Sequence, residues 1–204
     1  MNLPTLPCAL YARSRAAAST LAAIVGAALF TLWAATLSSA FVDPYERVPL
    51  IALAPLIASS AIGVSLHQYA QELDRAAARP WRPLRLAHLL ALTALAAALL
   101  ALAVPGHGQE YGAAAMVRNV LGATGITAGA AAVIGARLSW LPTVLYFCAV
   151  YLSYSAPYLH SATLWTWSMQ PGPQPGAWAV ALTAFVLGAG AYVVRGLPAR
   201  REPA

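Results

Sequence analysis

Residues 112–136, GAAAMVRNVLGATGITAGAAAVIGA, form a long apolar run that contains a single charged side chain, Arg118. A helix that crosses the hydrocarbon core of a bilayer needs about 20 predominantly apolar residues. This run is long enough to cross, and its small residues allow helix backbones to approach one another closely. The stretch therefore predicts a membrane-spanning helix.

Five further apolar runs lie on either side of this one, and each is long enough to be a span. They are residues 16–41, 48–66, 86–104, 138–154 and 177–194. Each run must be helical, because an unpaired backbone is not tolerated in lipid, and the alternation typical of barrel strands is absent. The sequence predicts an all-α integral membrane protein, a single domain over 1–204 with six transmembrane helices.

Composition supports lipid as the solvent of this chain. Of its 204 residues, 60% are hydrophobic and 9% are charged, whereas a soluble domain has about 25% charged residues. The net charge of +6 comes from arginines beside apolar runs, which favours anionic lipid headgroups as partners over nucleic acid. The abundance of alanine and arginine without any lysine suggests a bacterial protein, and hence the bacterial inner membrane.

The arginines fix the orientation, because cytoplasmic connections of membrane proteins carry an excess of basic residues. Ten of the twelve fall on one side of the six-span topology: Arg13, Arg15, Arg75, Arg79, Arg82, Arg85, Arg137, Arg195, Arg200 and Arg201. Arg47 falls on the other side, and Arg118 lies within a span. Both termini are therefore predicted to be cytoplasmic.

The connection between the second and third spans contains an amphipathic segment, residues 66–79, whose apolar residues recur at helical spacing. Pro80 ends the predicted helix, because proline cannot donate a backbone hydrogen bond. One interpretation is a cytoplasmic helix that docks on a soluble partner. The other is a solvated turn whose arginines only set the topology. Under the first, the contact residues are His67, Gln71, Glu72, Asp74 and Arg75.

The N-terminal tail places Tyr11, Arg13 and Arg15 directly before the first span. These residues suit a helix that lies in the membrane interface. A disordered tail with charges that set the topology is the alternative.

Arg118 and Asn119 are the only strongly polar pair within a predicted span. An ionisable residue inside a membrane is a candidate functional residue, here a polar position on a transport pathway. The alternative is structural: Arg118 extends toward the outer headgroups, or pairs with Glu110, Asp43 or Glu46.

Gly122, Gly125 and Gly129 follow on the same predicted helix, and the last two have the spacing of close helix contacts. They predict packing, either inside one bundle or across a dimer.

The predicted outer connection, residues 155–176, is aromatic and almost uncharged. It contains Tyr158, His160, Trp165 and Trp167, followed by three prolines. One interpretation is a re-entrant segment that dips into the outer leaflet. The other is an aromatic belt followed by a proline-rich turn, with His160 an interfacial histidine.

The chain lacks the residues of several kinds of active site. Without lysine there is no Walker A phosphate loop and no Schiff base, and no Cys/His cluster has the spacing of a zinc site. A serine protease site would need Ser65 with His88 as its nearest histidine, but Ser65 lies at the edge of a predicted span. We therefore expect no catalytic residue and no metal ligand in this chain.

The layout resembles the transmembrane subunit of ABC-2 type exporters, which have the type V ABC fold. The similarity extends over the whole chain in architecture, and no single motif carries it. Its elements are the basic segment with Tyr11, Arg13 and Arg15, the amphipathic segment 66–79, the outer connection 155–176, and six spans with both ends inside.

The resemblance implies a connecting helix at Tyr11–Arg15, a coupling helix at 66–79 that docks on an ATPase, and a re-entrant outer connection. Separate ABC ATPase subunits would bind ATP and Mg²⁺, so this chain would hold no cofactor of its own. A second permease copy or a paralogue would complete the pathway for an apolar or amphipathic cargo. Two other classes stay open: an accessory, immunity or assembly protein that transports nothing, and a small secondary transporter or channel.

The topology is testable with alkaline phosphatase fusions, because that enzyme is active only where its disulfides can form. We expect a fusion after Gln109 to be active and a fusion after Ala204 to be inactive. An active fusion at the C-terminus would contradict the predicted orientation.

Overall fold

The computed structural model describes residues 17–36, 44–67, 81–104, 112–154 and 165–198. For residues 44–50, 81 and 154 it describes the backbone alone. All regular structure in these stretches is helical, and they contain no strand, so the all-α prediction is confirmed for them. The α-helices are α1 (Ala17–Thr36), α2 (Pro44–Ser65), α3 (Trp81–Leu102), α4 (Gly112–Ile134), α5 (Trp140–Tyr154) and α6 (Pro175–Arg195). Two 3₁₀ turns accompany them, Ala136–Leu138 and Trp167–Met169.

Four helices are long and apolar enough to cross a membrane: α1, α3, α4 and α6. These four helices indicate that the chain is a multi-pass membrane protein. The described apolar part of α2, Ile51–Ser65, is shorter. The 15 residues of α5 extend for about 22 Å at 1.5 Å per residue, less than a hydrocarbon core of about 30 Å. Six spans, and the side on which the termini lie, stay predictions.

The helix boundaries differ from the predicted spans by a few residues, and proline chemistry explains two of the differences. The third span was predicted from residue 86, but α3 begins at Trp81. Pro83 fits there because the backbone N–H groups of a first helical turn have no partner within the helix. For the same reason α6 begins at Pro175, two residues before the predicted start. Residues 37–41 of the first predicted span lie outside the described residues.

The centre of the bundle is α4, which packs against α2, α3, α5 and α6. In its most apolar 18-residue window 61% of the residues are buried, compared with 28% in each of the windows of α1, α3 and α6. This helix is also the one with small and polar residues throughout its length. Such a composition suits a helix that faces protein on most sides, because small side chains bring neighbouring helices close.

The most extensive helix contact joins α4 to α6, and glycines make it possible. A Cβ atom added at Gly125 would lie 2.5 Å from backbone atoms of Ala184 and Phe185. One added at Gly188 would overlap the carbonyl oxygen of Gly125. One added at Gly129 would lie 3.3 Å from the Cα of Gly188. Gly125 and Gly129, predicted as packing residues, thus lie against another helix of the same chain.

A hydroxyl pair joins α4 to α5, and close packing joins α4 to α2. The hydroxyls of Thr127 on α4 and Thr143 on α5 are 2.7 Å apart in a buried hydrogen bond. A Cβ added at Gly63 on α2 would overlap Thr127 and lie 2.5 Å from the hydroxyl oxygen of Ser139. Close packing at Gly63 therefore brings α2 against both α4 and the turn that leads to α5.

Large apolar side chains on the outer helices are exposed. On α1 they include Leu29 and Trp33, and on α6 they include Val186, Leu187 and Val194. In water this surface would be unfavourable by about 25 cal/mol for each Å² of apolar area. In lipid it has no such cost, as expected for a membrane protein.

Two glycines on α6 provide a matched test of the α4–α6 contact. Gly188→Ala should lower the free energy of unfolding by about 1–3 kcal/mol, because the added methyl overlaps Gly125. Gly190 has nothing within 4 Å of its Cβ position, so Gly190→Ala should have no effect or should stabilise the helix by up to about 1 kcal/mol. Thermal unfolding in detergent micelles measures both, and equal effects would contradict the packing described.

Candidate functional site

Arg118 lies near the start of the central helix, and its side chain is completely buried. Its guanidinium group donates to the backbone carbonyl of Pro171 (2.8 Å) and to that of Gln170 (2.8 Å). Its Nε donates to the side-chain oxygen of Asn119 at 3.1 Å. The planar guanidinium group of arginine suits two neighbouring acceptors, because its N–H groups point in fixed directions. Arg118 therefore joins α4 to the chain that leads into α6.

Three other side chains bind the same stretch of backbone. The Asn119 amide donates to the Ser168 carbonyl at 2.5 Å. The Tyr146 hydroxyl, on α5, donates to the Trp165 carbonyl at 2.9 Å. The Trp178 indole, on α6, donates to the Gly172 carbonyl at 2.9 Å. With the two bonds from Arg118, five backbone carbonyls between residues 165 and 172 accept from side chains of three helices.

We call residues 165–174 the outer segment and Arg118 with Asn119 the clamp. Non-helical backbone at membrane depth is tolerated only where protein or water satisfies its polar groups. Within the outer segment, Pro171 and Pro173 have no N–H to donate. Its carbonyls nevertheless need donors, because a buried polar group without a partner costs about 1–3 kcal/mol. The clamp supplies three of these hydrogen bonds, counting the one from Asn119.

Trp167 anchors the outer segment inside the bundle. Its side chain is 2% exposed and stacks on the ring of Tyr146, with centroids 5.6 Å apart and an interplanar angle of 13°. A Cβ added at Gly122 would overlap the Trp167 indole. Gly122 lies ten residues beyond the start of α4, about 15 Å along the helix. The indole therefore reaches the middle of the central helix.

The structure brings together only part of the residues that the sequence singled out. Arg118, Asn119, Gly122 and Trp167 form one connected site. Trp165 lies at its edge, 46% exposed, with its ring against that of Tyr146. His67 lies two residues after the end of α2 and is partly buried. The other candidates lie outside the described residues: Tyr11, Arg13, Arg15, Gln71, Glu72, Asp74, Arg75, Tyr158 and His160.

The geometry of Arg118 differs from the alternative in which its side chain extends toward the outer headgroups. Its side chain has no exposed surface, and its guanidinium donates to the carbonyls of the outer segment, so it does not extend to the headgroups. The side chains of Asp43, Glu46 and Glu110 lie outside the described residues. The part that Arg118 takes in a transport pathway stays a prediction.

Tyr146 and Trp178 also belong to the site, although neither is a candidate from the sequence. Both lie within long apolar runs, where an aromatic residue has no distinctive pattern. One property is visible in the sequence: the tyrosine hydroxyl and the tryptophan indole N–H each need a hydrogen-bond partner when the ring is buried. Which carbonyl provides that partner depends on how the outer segment folds, and local sequence does not encode that.

Ser65 and His88 do meet, at the end of α2. The serine oxygen is 3.3 Å from the His88 Nε2, and its hydroxyl donates to the Ile62 carbonyl at 2.6 Å. A nucleophilic serine must give its proton to the histidine, whereas this hydroxyl proton already points to a carbonyl. The contact joins α2 to α3 as a structural bond. Among the described residues no group of three or more His, Cys, Asp or Glu side chains could hold a metal ion.

Comparison with known proteins leaves the family open. No protein-family model, curated protein or solved structure matches this chain. A functional assignment therefore rests on the chain's own residues and geometry.

The clamp is testable by the accessibility of a buried residue within the outer segment. In a chain whose Cys8 and Cys148 are replaced by alanine, Met169→Cys reports on the outer segment, because Met169 is 5% exposed. Arg118→Gln should make this cysteine react faster with a water-soluble maleimide. It should also lower the free energy of unfolding by about 1–3 kcal/mol, because the carbonyls of Gln170 and Pro171 lose donors.

Two control variants make this result specific. Arg118→Lys keeps the charge but loses the planar guanidinium group, so its effect on the labelling rate should be intermediate. Arg137→Gln removes an exposed arginine at the other end of α4 and should leave the labelling rate unchanged. If Arg118→Gln left the cysteine protected, the clamp would not be what holds the outer segment.

Proposed function

We propose that this chain is the transmembrane subunit of an ATP-driven exporter of the ABC-2 type, located in the bacterial inner membrane with six spans and both termini in the cytoplasm. The observation that supports this best is the outer segment, tied into the bundle between α5 and α6. The ABC-2 permeases have re-entrant helices at the corresponding place. A segment with five carbonyls satisfied by side chains is equipped to lie within a leaflet.

The connection between α2 and α3 supports the coupling part of the proposal. It begins after the end of α2 at Ser65 and reaches α3 at Trp81, so only a short length of chain separates two bundle helices. A force applied to this connection would pass directly to α2 and α3, and α2 packs on the central helix at Gly63. In this proposal Gln71, Glu72, Asp74 and Arg75 contact the ATPase, and the partner binds ATP and Mg²⁺.

The proposed pathway lies between two bundles, this chain and a second copy or a paralogue. In the described part of the chain α4 packs directly on α6, and the outer segment is bonded to α4, so we place transport at the outer faces of the bundle. Those faces carry apolar side chains with few charges. They suit an apolar or amphipathic cargo, such as a hydrophobic peptide, an antibiotic or a lipid-like molecule.

One observation favours a second candidate, an accessory, immunity or assembly protein that transports nothing. The clamp residues form internal hydrogen bonds, which is what a purely structural role of Arg118 requires. The third class, a small secondary transporter or channel, usually relies on acidic residues inside the membrane. The described parts of α1, α3, α4, α5 and α6 contain no acidic residue.

Co-expression with the neighbouring genes of its native genome, followed by purification in mild detergent, tests the proposal. We expect a P-loop ATPase to co-purify in stoichiometric amount. The double variant Glu72→Gln/Asp74→Asn should lose it, because these carboxylates are the proposed contacts. Gln109→Ala, on the predicted opposite side, is the control and should retain it.

Transport-coupled ATP hydrolysis provides the second readout. After reconstitution into vesicles, the double variant should reduce the ATPase stimulation that the wild-type chain gives. Purification with a non-ATPase membrane protein alone would favour the accessory class. Retention of the ATPase by the double variant, with full stimulation, would contradict the assignment of the coupling residues.

A further inference from the structure

Four of the described arginines gather at one end of the bundle. Arg82 and Arg85 lie in the first turns of α3, Arg137 lies in the turn after α4, and Arg195 ends α6. Contacts between these elements place them at the same end. A Cβ added at Gly196 would lie against the Arg85 guanidinium, and one at Gly135 would lie 3.8 Å from Pro198.

The junction of α3 and α6 is the most specific part of this surface. Gly196 has a φ of 69°, and its N–H donates to the Tyr192 carbonyl at 2.8 Å, which closes the end of α6. Because Gly196 has no side chain, the Arg85 guanidinium can lie directly against it. Arg82 lies three residues before Arg85 on the same face of α3, and Arg195 directly precedes Gly196.

The charges at this junction are not neutralised within the described part of the chain. There, the side chains of Arg82, Arg85 and Arg195 have no hydrogen-bond or ion-pair partner, and Arg82 and Arg195 are exposed. The negative end of the α6 dipole favours a cation beside Gly196, and Arg85 fills that place. Arg82, one helical turn before Arg85, and Arg195, next to Gly196, are exposed and can still bind an anion.

We propose that Arg82, Arg85 and Arg195 form a binding site for the phosphate of an anionic phospholipid at the junction of α3 and α6. Guanidinium groups suit this ligand because they donate paired hydrogen bonds to phosphate oxygens. A lipid fits better than a free anion because exposed apolar side chains flank the arginines: Leu84 and Leu86 on α3, and Val194 on α6. The acyl chains would lie along these side chains while the phosphate meets the arginines. The site does not depend on the transporter assignment.

Lipid titration of the purified full-length protein tests this site. After delipidation in a neutral detergent, dioleoylphosphatidylglycerol should raise the thermal unfolding midpoint in a saturable manner, because a ligand of the folded state stabilises it. Dioleoylphosphatidylcholine should not. Arg195→Gln and Arg82→Gln should each raise the lipid concentration of half-maximal effect about fivefold, the contribution of one basic side chain at an anionic surface.

The control is Arg137→Gln, which removes the same charge at the same end but not at the junction, and it should titrate like the wild type. Arg85 is left intact because its contact with Gly196 also affects folding. An equal loss in Arg137→Gln and Arg195→Gln would show diffuse attraction and overturn the site. Inorganic phosphate that stabilised the protein at the same concentration as the lipid would also overturn it, because acyl chains would then contribute nothing.

Discussion

The Arg118 guanidinium donates to two adjacent carbonyls of the outer segment, and the architecture around it depends on these bonds. They allow a proline-containing stretch without an α-helix to lie against the central helix of a membrane protein. Without donors, its carbonyls would be buried polar groups with no partner. Asn119, Tyr146 and Trp178 complete the set, so α4, α5 and α6 are joined through one short piece of backbone. Trp167 then fills the space that Gly122 leaves open.

The central helix combines two requirements that are usually separate in membrane helices. Its first half carries the polar pair that binds the outer segment, and its second half carries glycines that admit α6 at close range. The polar pair and the glycines make α4 less apolar than α1, α3 and α6. This composition is compatible with a membrane because neighbouring helices cover most of α4. The outer helices show the opposite pattern, with large apolar side chains turned outward. Position in the bundle thus explains why residues 112–134 differ in composition from the other spans.

Sequence reasoning reached those parts of the fold that depend on local composition. Apolar length predicted the helices, and the spacing of Gly125 and Gly129 predicted close packing, although not that α6 is the partner. Arg118 was recognised as unusual, but its acceptors were not, because they lie more than fifty residues away along the chain. The hydrogen bonds of Tyr146 and Trp178 were not predicted either, because they depend on the conformation that the outer segment adopts. The boundaries at Trp81 and Pro175 differed because proline fits within a first helical turn.

Hydrogen–deuterium exchange of the wild-type protein in lipid nanodiscs tests the central claim, that the outer segment is a fixed part of the bundle. Amides of this segment donate to its own carbonyls, as Met169 does to Thr166 at 2.9 Å. If the clamp holds the segment in place, peptides covering 165–174 should exchange slowly, on the timescale of the α4 peptides. Complete exchange of these peptides within seconds, while α4 remains protected, would contradict the claim.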